Sequence, residues 1–282
     1  MPLSHSPRRL ALHLGLFALT VAVIILWWLP DWQGGLIYAA ALSAILLAHE
    51  FGHYFAAKRH HVDVTLPYFL PGLPPFYTFG AFIKMRASYL DRKALLCIGA
   101  AGPLAGAAVA LPIYVVGLSL SEVHEIPPLT STAELLVFGD SLFTWLTAYL
   151  LFDPLPRDHD IFLHPLAYAG WVGFFVTALN LTPAGQLDGG HIGFAVFGRA
   201  YRYAARACFA VIILLGLLLH PVWLVLAIFL IVTGIDHPEV DDTPPPPWAY
   251  GIGAACLLLF AFAFVPRPIV LPLLHELLSA VF

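Results

Sequence analysis

The sequence predicts an all-α, multi-pass membrane protein of six to seven transmembrane helices with one small β-hairpin. Three observations carry that expectation. Of the 282 residues, 60% are hydrophobic and 11% charged, where a soluble domain carries about 25% charged residues. Apolar runs recur along the chain, and about 20 such residues cross a bilayer as a helix. Lysine and arginine gather at alternate ends of those runs, as membrane orientation requires.

The runs follow in order. Leu10 to Leu29 comes first and is closed by Pro30 and the polar turn 31–35. Arg8 and Arg9 before it mimic a signal peptide. The run is too long for such a core and no small-x-small cleavage pattern follows, so a retained span is expected. Leu36 to Ala57, Ala94 to Leu120 and Pro165 to Leu181 are the next three. Tyr203 to Leu219 and Val222 to Ile235 are separated by His220-Pro221, read as a turn, and Ala249 to Val265 is last. Residues 132–152 are apolar but interrupted by Glu134 and Asp140, which suggests an element lying at the interface. The proline-broken tail 266–282 has the same expectation. Residues 236–247 form an acidic, Pro-rich linker whose Pro244 to Pro247 should be extended and stiff.

With the N-terminus cytoplasmic, Arg8, Arg9, Lys58, Arg59, Lys84, Arg86, Arg92, Lys93, Arg199, Arg202 and Arg206 all fall on the cytoplasmic side. Arg157 and Arg267 are the exceptions. The net charge of -4 and the lack of a basic tract give no reason to expect nucleic acid. Cys97, Cys208 and Cys256 stand far apart in apolar stretches, without Cys-x-x-Cys spacing, and read as core residues. Val62 to Tyr68 and Phe76 to Met85 hold β-branched and aromatic residues around a Pro/Gly turn, the pattern of a hairpin.

His49-Glu50-Phe51-Gly52-His53 fits H-E-x-x-H. On a helix, positions i and i+4 share a face, so both imidazoles can hold one zinc ion with Glu50 beside the attacking water. Ionisable residues inside an apolar span are costly and mark function. Catalytic zinc takes three protein ligands and leaves one position open. Asp188 is the leading candidate for the third, in the run Asn180 to Gly190, whose Pro and Gly punctuation survives at membrane depth only beside protein or water. An ordinary turn is the competing reading of Asp188-Gly189, and His191 is the competing ligand. Asn180 could donate to the oxyanion of a tetrahedral intermediate or simply pack between helices. His60 and His61 read as a solvated collar. Gly99, Gly102 and Gly106 allow close approach of a neighbouring helix.

These blocks resemble the site-2 protease family of intramembrane zinc metalloproteases. His49 to His53, Gly99 to Gly106 and Asn180 to Gly190 carry the likeness and tie residues 36–191 to the family core. The resemblance implies one zinc per chain, bound by His49, His53 and Asp188. It further implies Glu50 as general base and acid, Asn180 assisting the intermediate, and a transmembrane protein as substrate. A family hairpin beside the active site would correspond to Val62 to Met85, where Gly80, Phe82 and Ile83 would pair with an unwound substrate segment. The division expected is 1–35 for the first helix and turn, 36–191 for the catalytic membrane core, and 192–282 for C-terminal helices and tail. No polar stretch is long enough for the PDZ or CBS domain that part of the family carries. A prokaryotic inner membrane, with the site toward the cytoplasm, is the expected location. A membrane metal-ion transporter, or a non-catalytic metal-binding membrane protein, is the alternative. Against it, the ionisable residues cluster at one depth instead of forming a string across the membrane. Substrate identity and oligomeric state have no signal in the sequence.

Overall fold

A computed structural model of the chain describes residues 7–29, 31–86, 91–126, 136–156, 158–237 and 243–270. Helices form the frame: α1 (Pro7–Trp27), α2 (Trp32–Arg59), α3 (Arg92–Ser119), α4 (Leu142–Phe152), α5 (Pro165–Leu181), α6 (Asp188–Phe197), α7 (Tyr201–Leu218), α8 (Val222–Thr233) and α9 (Trp248–Ala263). Local chemistry fixes several starts. Asp31 accepts from the Gly34 amide at 3.0 Å to open α2, and Asp91 accepts from Ala94 at 2.6 Å to open α3. Ser141 and Thr144 form a reciprocal capping box on α4, which satisfies donors that a helix start otherwise leaves bare.

Four helical stretches are long and apolar enough to cross a membrane: Pro7–Trp27, Trp32–Arg59, Arg92–Ser119 and Asp188–Leu218. The other apolar helices, α4, α5, α8 and α9, run only 10–17 residues. Six to seven full-length spans are therefore not what the described residues show. Apolarity marks burial in protein as well as contact with lipid. In α5, Ala167 to Phe175 are all buried, as expected of a helix that is apolar all round. The run expected at Tyr203 to Leu219 is continuous with α6 through a short 3-10 turn, Gly198–Ala200. His220-Pro221 does separate α7 from α8 as a turn.

The core lies where α2, α3 and α5 meet, around Tyr38, Leu42, Ile45, Ala110, Tyr114 and Phe175. Small residues bring the backbones together: a Cβ on Gly173 would stand 2.9 Å from Ile45 Cγ2. A second cluster joins α3, α6 and α9 through Leu96, Ile192, Phe194 and Cys256. A third gathers Ile212, Trp223 and Leu230 around Ala184.

The expected hairpin is present in two parts. β1 (Asp63–Val64) pairs with β4 (Met85–Arg86), and β2 (Tyr68–Pro71) pairs with β3 (Thr78–Phe82), all antiparallel. Its base packs on the end of α2, where Val62, Val64, Ile83 and Met85 meet Ala57. Its tip reaches back to the start of α2, where the Tyr38 hydroxyl donates to the Phe76 carbonyl at 3.0 Å. The Tyr168 hydroxyl donates to the Pro75 carbonyl, and Phe76 stacks on Trp171 and lies against Phe175. Tyr38 and Ala57 are about 28 Å apart along α2 at 1.5 Å per residue, so the hairpin runs back through the bundle. Helix α1 covers the β2 side: His13 Nδ1 lies 3.0 Å from the Pro67 carbonyl and Phe17 meets Phe69 edge-on at 4.9 Å. Among the described residues these strands form two separate two-stranded sheets. On β3, Phe79 is 73% exposed and Phe82 47%.

Two further ribbons were not foreseen. β5 (Glu122–Glu125) pairs with β7 (His159–Phe162), and β6 (Val137–Phe138) pairs with β8 (Ile269–Val270). The expectation for 132–152 is described from residue 136 onward. Its main part is α4, whose Trp145, Tyr149 and Leu150 are exposed. The expectation for the tail falls mostly outside the described residues, which end at 270.

Candidate metal centre and active site

Helix α2 carries His49, Glu50 and His53, all buried. The i, i+4 spacing turns both imidazoles toward α3 and α6. Their Nε2 atoms stand 3.1 Å apart, and each lies 3.3 Å from Asp188 Oδ2. Asp188 opens α6, where the positive end of the helix dipole favours a carboxylate. His49, His53 and Asp188 form the one three-residue group of potential ligands found among the described residues.

The donor set fits zinc. Its ligand atoms sit about 2.0–2.1 Å from the metal in tetrahedral arrangement, so their mutual separations are about 3.3 Å. The observed edges of 3.1, 3.3 and 3.3 Å match. His53 Nδ1 lies 2.7 Å from the Ile98 carbonyl. A carbonyl only accepts, so the proton of the neutral ring sits on Nδ1 and Nε2 turns its lone pair into the site. That is the usual arrangement of a metal-binding imidazole.

Glu50 completes the chemistry. Its Oε2 is buried with no hydrogen-bond partner among the described residues, a cost of roughly 1–3 kcal/mol or more if nothing satisfied it. The backbone amide of Ile83 lies against the same carboxylate. Asn180, at the end of α5, places Nδ2 3.2 Å from His49 Nε2.

Helix α3 is fitted to this cluster by its glycines. A Cβ on Gly102 would overlap the His53 ring, and one on Gly106 would stand 3.1 Å from His49 Cβ. The Asp188 segment is held from behind: Gly185 donates to the Ile235 carbonyl at 3.0 Å and Gln186 Nε2 to the Thr233 carbonyl at 2.9 Å. Arg206 grips Asp236 next door at 2.6 Å, which pulls that exposed carboxyl below its ordinary range.

The geometry gathers His49, Glu50, His53, Asn180 and Asp188. His191 turns elsewhere, with Nδ1 2.7 Å from His237 Nε2. Gly80 and Phe82 lie on β3, and Ile83 lies at its end against Glu50. Gly80 has φ of +90° with open space where a side chain would be. The Ile83 amide and the Ile98 carbonyl are contacts that sequence reasoning missed. Both are backbone groups, and no residue type signals them. The pairing of His237 with His191 was missed as well; its signal was an isolated histidine in an acidic linker.

Residues 37–220 match the model of peptidase family M50. The chain belongs to that family. The match bears out the site-2 protease resemblance, since the M50 region contains all three blocks that carry it. This M50 chain is 33% identical over 243 residues to the probable zinc metalloprotease EGY2, chloroplastic, of Arabidopsis thaliana, covering 84% of this chain and 42% of the relative. The protein of the same name from Oryza sativa subsp. indica is 32% identical over 242 residues, covering 84% and 43%. The Arabidopsis thaliana probable zinc metalloprotease EGY1, chloroplastic, is 34% identical over 171 residues, covering 60% and 31%. The M50 chain thus spans less than half the length of these relatives. All of them are chloroplastic by name, so they lend no support to a prokaryotic inner membrane.

Proposed function

We propose that this chain is an integral-membrane zinc metalloprotease that hydrolyses peptide bonds in or near the transmembrane segments of other proteins. The observation that carries the reading is the buried, unpartnered Glu50 oxygen beside three ligand atoms spaced for zinc. His49, His53 and Asp188 hold the metal. When bound, zinc acidifies water and polarises the scissile carbonyl. Glu50 takes the proton of the attacking water on its carboxylate and returns it to the leaving nitrogen. The Ile83 amide keeps one side of that carboxylate oriented, leaving Oε2 for the water. The Asn180 amide donates to the oxygen that gains charge. Helical hydrogen bonds shield substrate carbonyls, so the cleaved segment must unwind; Gly80 and Phe82 on β3 offer it backbone partners as an added strand, with Ile83 just past the strand's end against Glu50. Residues 36–191 form the catalytic core in this reading. The clustering of Lys and Arg supports an active site that faces the cytoplasm.

The test is cleavage of a single-span substrate by purified protein in detergent, with zinc counted per chain. Wild type is expected to cleave and to stop when a chelator is added. Glu50→Gln is expected to keep its zinc and lose about 10²- to 10⁴-fold in rate, the range for general acid–base catalysis. A chain that carries no zinc, or a Glu50→Gln variant that cleaves normally, removes the reading.

A further inference from the structure

Asp188 follows the loop 182–187, which joins α5 to α6. Helix α6 has no side-chain cap at Leu187, and the bond that closes the loop on itself, from the Leu187 amide to the Ala184 carbonyl, is long at 3.4 Å. The loop is tied outward instead. The Gly185 amide donates to the Ile235 carbonyl at 3.0 Å, and Gln186 Nε2 donates to the Thr233 carbonyl at 2.9 Å. Thr233 is the last residue of α8, where a helix leaves carbonyls without partners of its own. Loop and helix end therefore satisfy each other.

Packing tightens the tie. Ala184 is buried in the cluster that holds Trp223, Ala227 and Leu230 of α8. Gly185 has φ of +56°, and a Cβ there would stand 2.6 Å from the Gly234 carbonyl, so conformation and space both call for glycine. Movement at Gly185 passes on to the ligand. A Cβ on Gly190 would overlap the Gly185 carbonyl, and one on Gly189 would overlap that of Leu181, so the two residues after Asp188 lie directly on the loop. Past α8 the chain stays on this unit. Arg206 of α7 grips both oxygens of Asp236, at 3.1 and 2.6 Å, and His237 stacks on Phe194 of α6 with its Nε2 2.7 Å from His191 Nδ1. The M50 match ends at residue 220, so α8 and the segment after it lie past the matched region.

We propose that the end of α8 and the segment 233–237 form a bracket that sets Asp188 against His49 and His53, with Gln186 and Gly185 as positioning residues. The inference rests on the metal-site reading given above. The hydrogen bond donated by Gln186 fixes the loop, the loop fixes the first turn of α6, and the Asp188 carboxylate is held 3.3 Å from both imidazoles. Partners that orient a metal ligand are worth about 10- to 100-fold in metal affinity or activity. Gln186 is itself exposed, so its side chain can be changed without disturbing the core.

The full chain in detergent is read for zinc affinity against a competing chelator, and for the visible spectrum of cobalt bound in place of zinc, which reports ligand geometry. Gln186→Glu keeps length and shape but offers the Thr233 carbonyl only acceptors, whereas Gln186→Arg restores a donor. Gln186→Glu is expected to weaken zinc binding about 10- to 100-fold and to shift the cobalt bands. Gln186→Arg is expected to bring both back toward wild type. Added negative charge alone tightens a cation and added positive charge alone loosens it, so both expected effects run against simple electrostatics. Wild-type affinity and an unchanged cobalt spectrum in Gln186→Glu overturn the bracket, while the metal reading stands because wild type still binds zinc. Affinities that follow charge, tighter with glutamate and weaker with arginine, overturn it as well. A wild-type chain that binds no zinc removes the metal reading and this inference with it.

Discussion

Two contacts at the metal decide what single changes do. The Asn180 amide stands beside His49 Nε2 without being a ligand. In the proposed mechanism, Asn180→Ala therefore keeps zinc and loses about 10²- to 10³-fold in turnover, as removal of one oxyanion donor does. KM should stay near the wild-type value, and a loss confined to KM would remove the role. The second contact is steric. Gly102 faces the His53 ring where any Cβ would overlap it. Gly102→Ala should cost about 1–3 kcal/mol of overpacking, which is ~5- to 150-fold in zinc affinity. Gly251, with open space around it, provides the control: Gly251→Ala should bind zinc normally. Much of this site was legible in the sequence, because i, i+4 spacing on a helix makes His49 and His53 neighbours before any fold is known. Asp188 was legible less directly, from Pro and Gly punctuation that requires a protein-lined cavity. The Ile83 amide and Ile98 carbonyl left no trace, since every residue carries those groups.

Among the elements, the hairpin is the one on which substrate handling turns in the proposed mechanism. β2 is covered by α1, so among the described residues the unpaired edge belongs to β3. A proline at Phe82 should abolish cleavage and leave zinc intact if an incoming strand pairs there. Ile83 is the poorer test position, because its amide also holds Glu50. Zinc-replete protein with Phe82→Pro that still cleaves would end the strand-pairing idea. The hairpin itself was visible in β-branched and aromatic residues around a Pro/Gly turn, though its division into two pairs was not. The expected count of six to seven spans is not confirmed, for a physical reason. Helix α5 is apolar because protein surrounds it, and hydropathy does not tell protein neighbours from lipid. Ribbons of two to four residues, such as β5 with β7, are too short and too polar to announce themselves.

Across the whole molecule, the metal ties two distant parts of the chain together. His49 and His53 come from α2, and Asp188 comes from the start of α6. α6 is fastened at its other end by Arg92 of α3, which donates to the carbonyls of Ala195 at 2.9 Å and Val196 at 2.8 Å. A ligand bound only to the folded state stabilises it by about 2.7 kcal/mol at a hundredfold excess over Kd. A chelator should therefore lower the unfolding temperature of wild type and leave His53→Ala unchanged. An equal drop in both would place the metal elsewhere.

The hairpin has one more property. Tyrosine hydroxyls from α2 and α5 pin its tip, and Glu50 meets its base. A strand anchored at both ends acts as a ruler. β3 spans five residues, roughly 17 Å at strand rise, and its graduations are fixed relative to the attacking water. If a substrate segment pairs along it as proposed, the cut is expected at a set distance from the pinned tip. Lengthening a substrate on the far side of the membrane then slides the cut through its sequence while its depth stays constant.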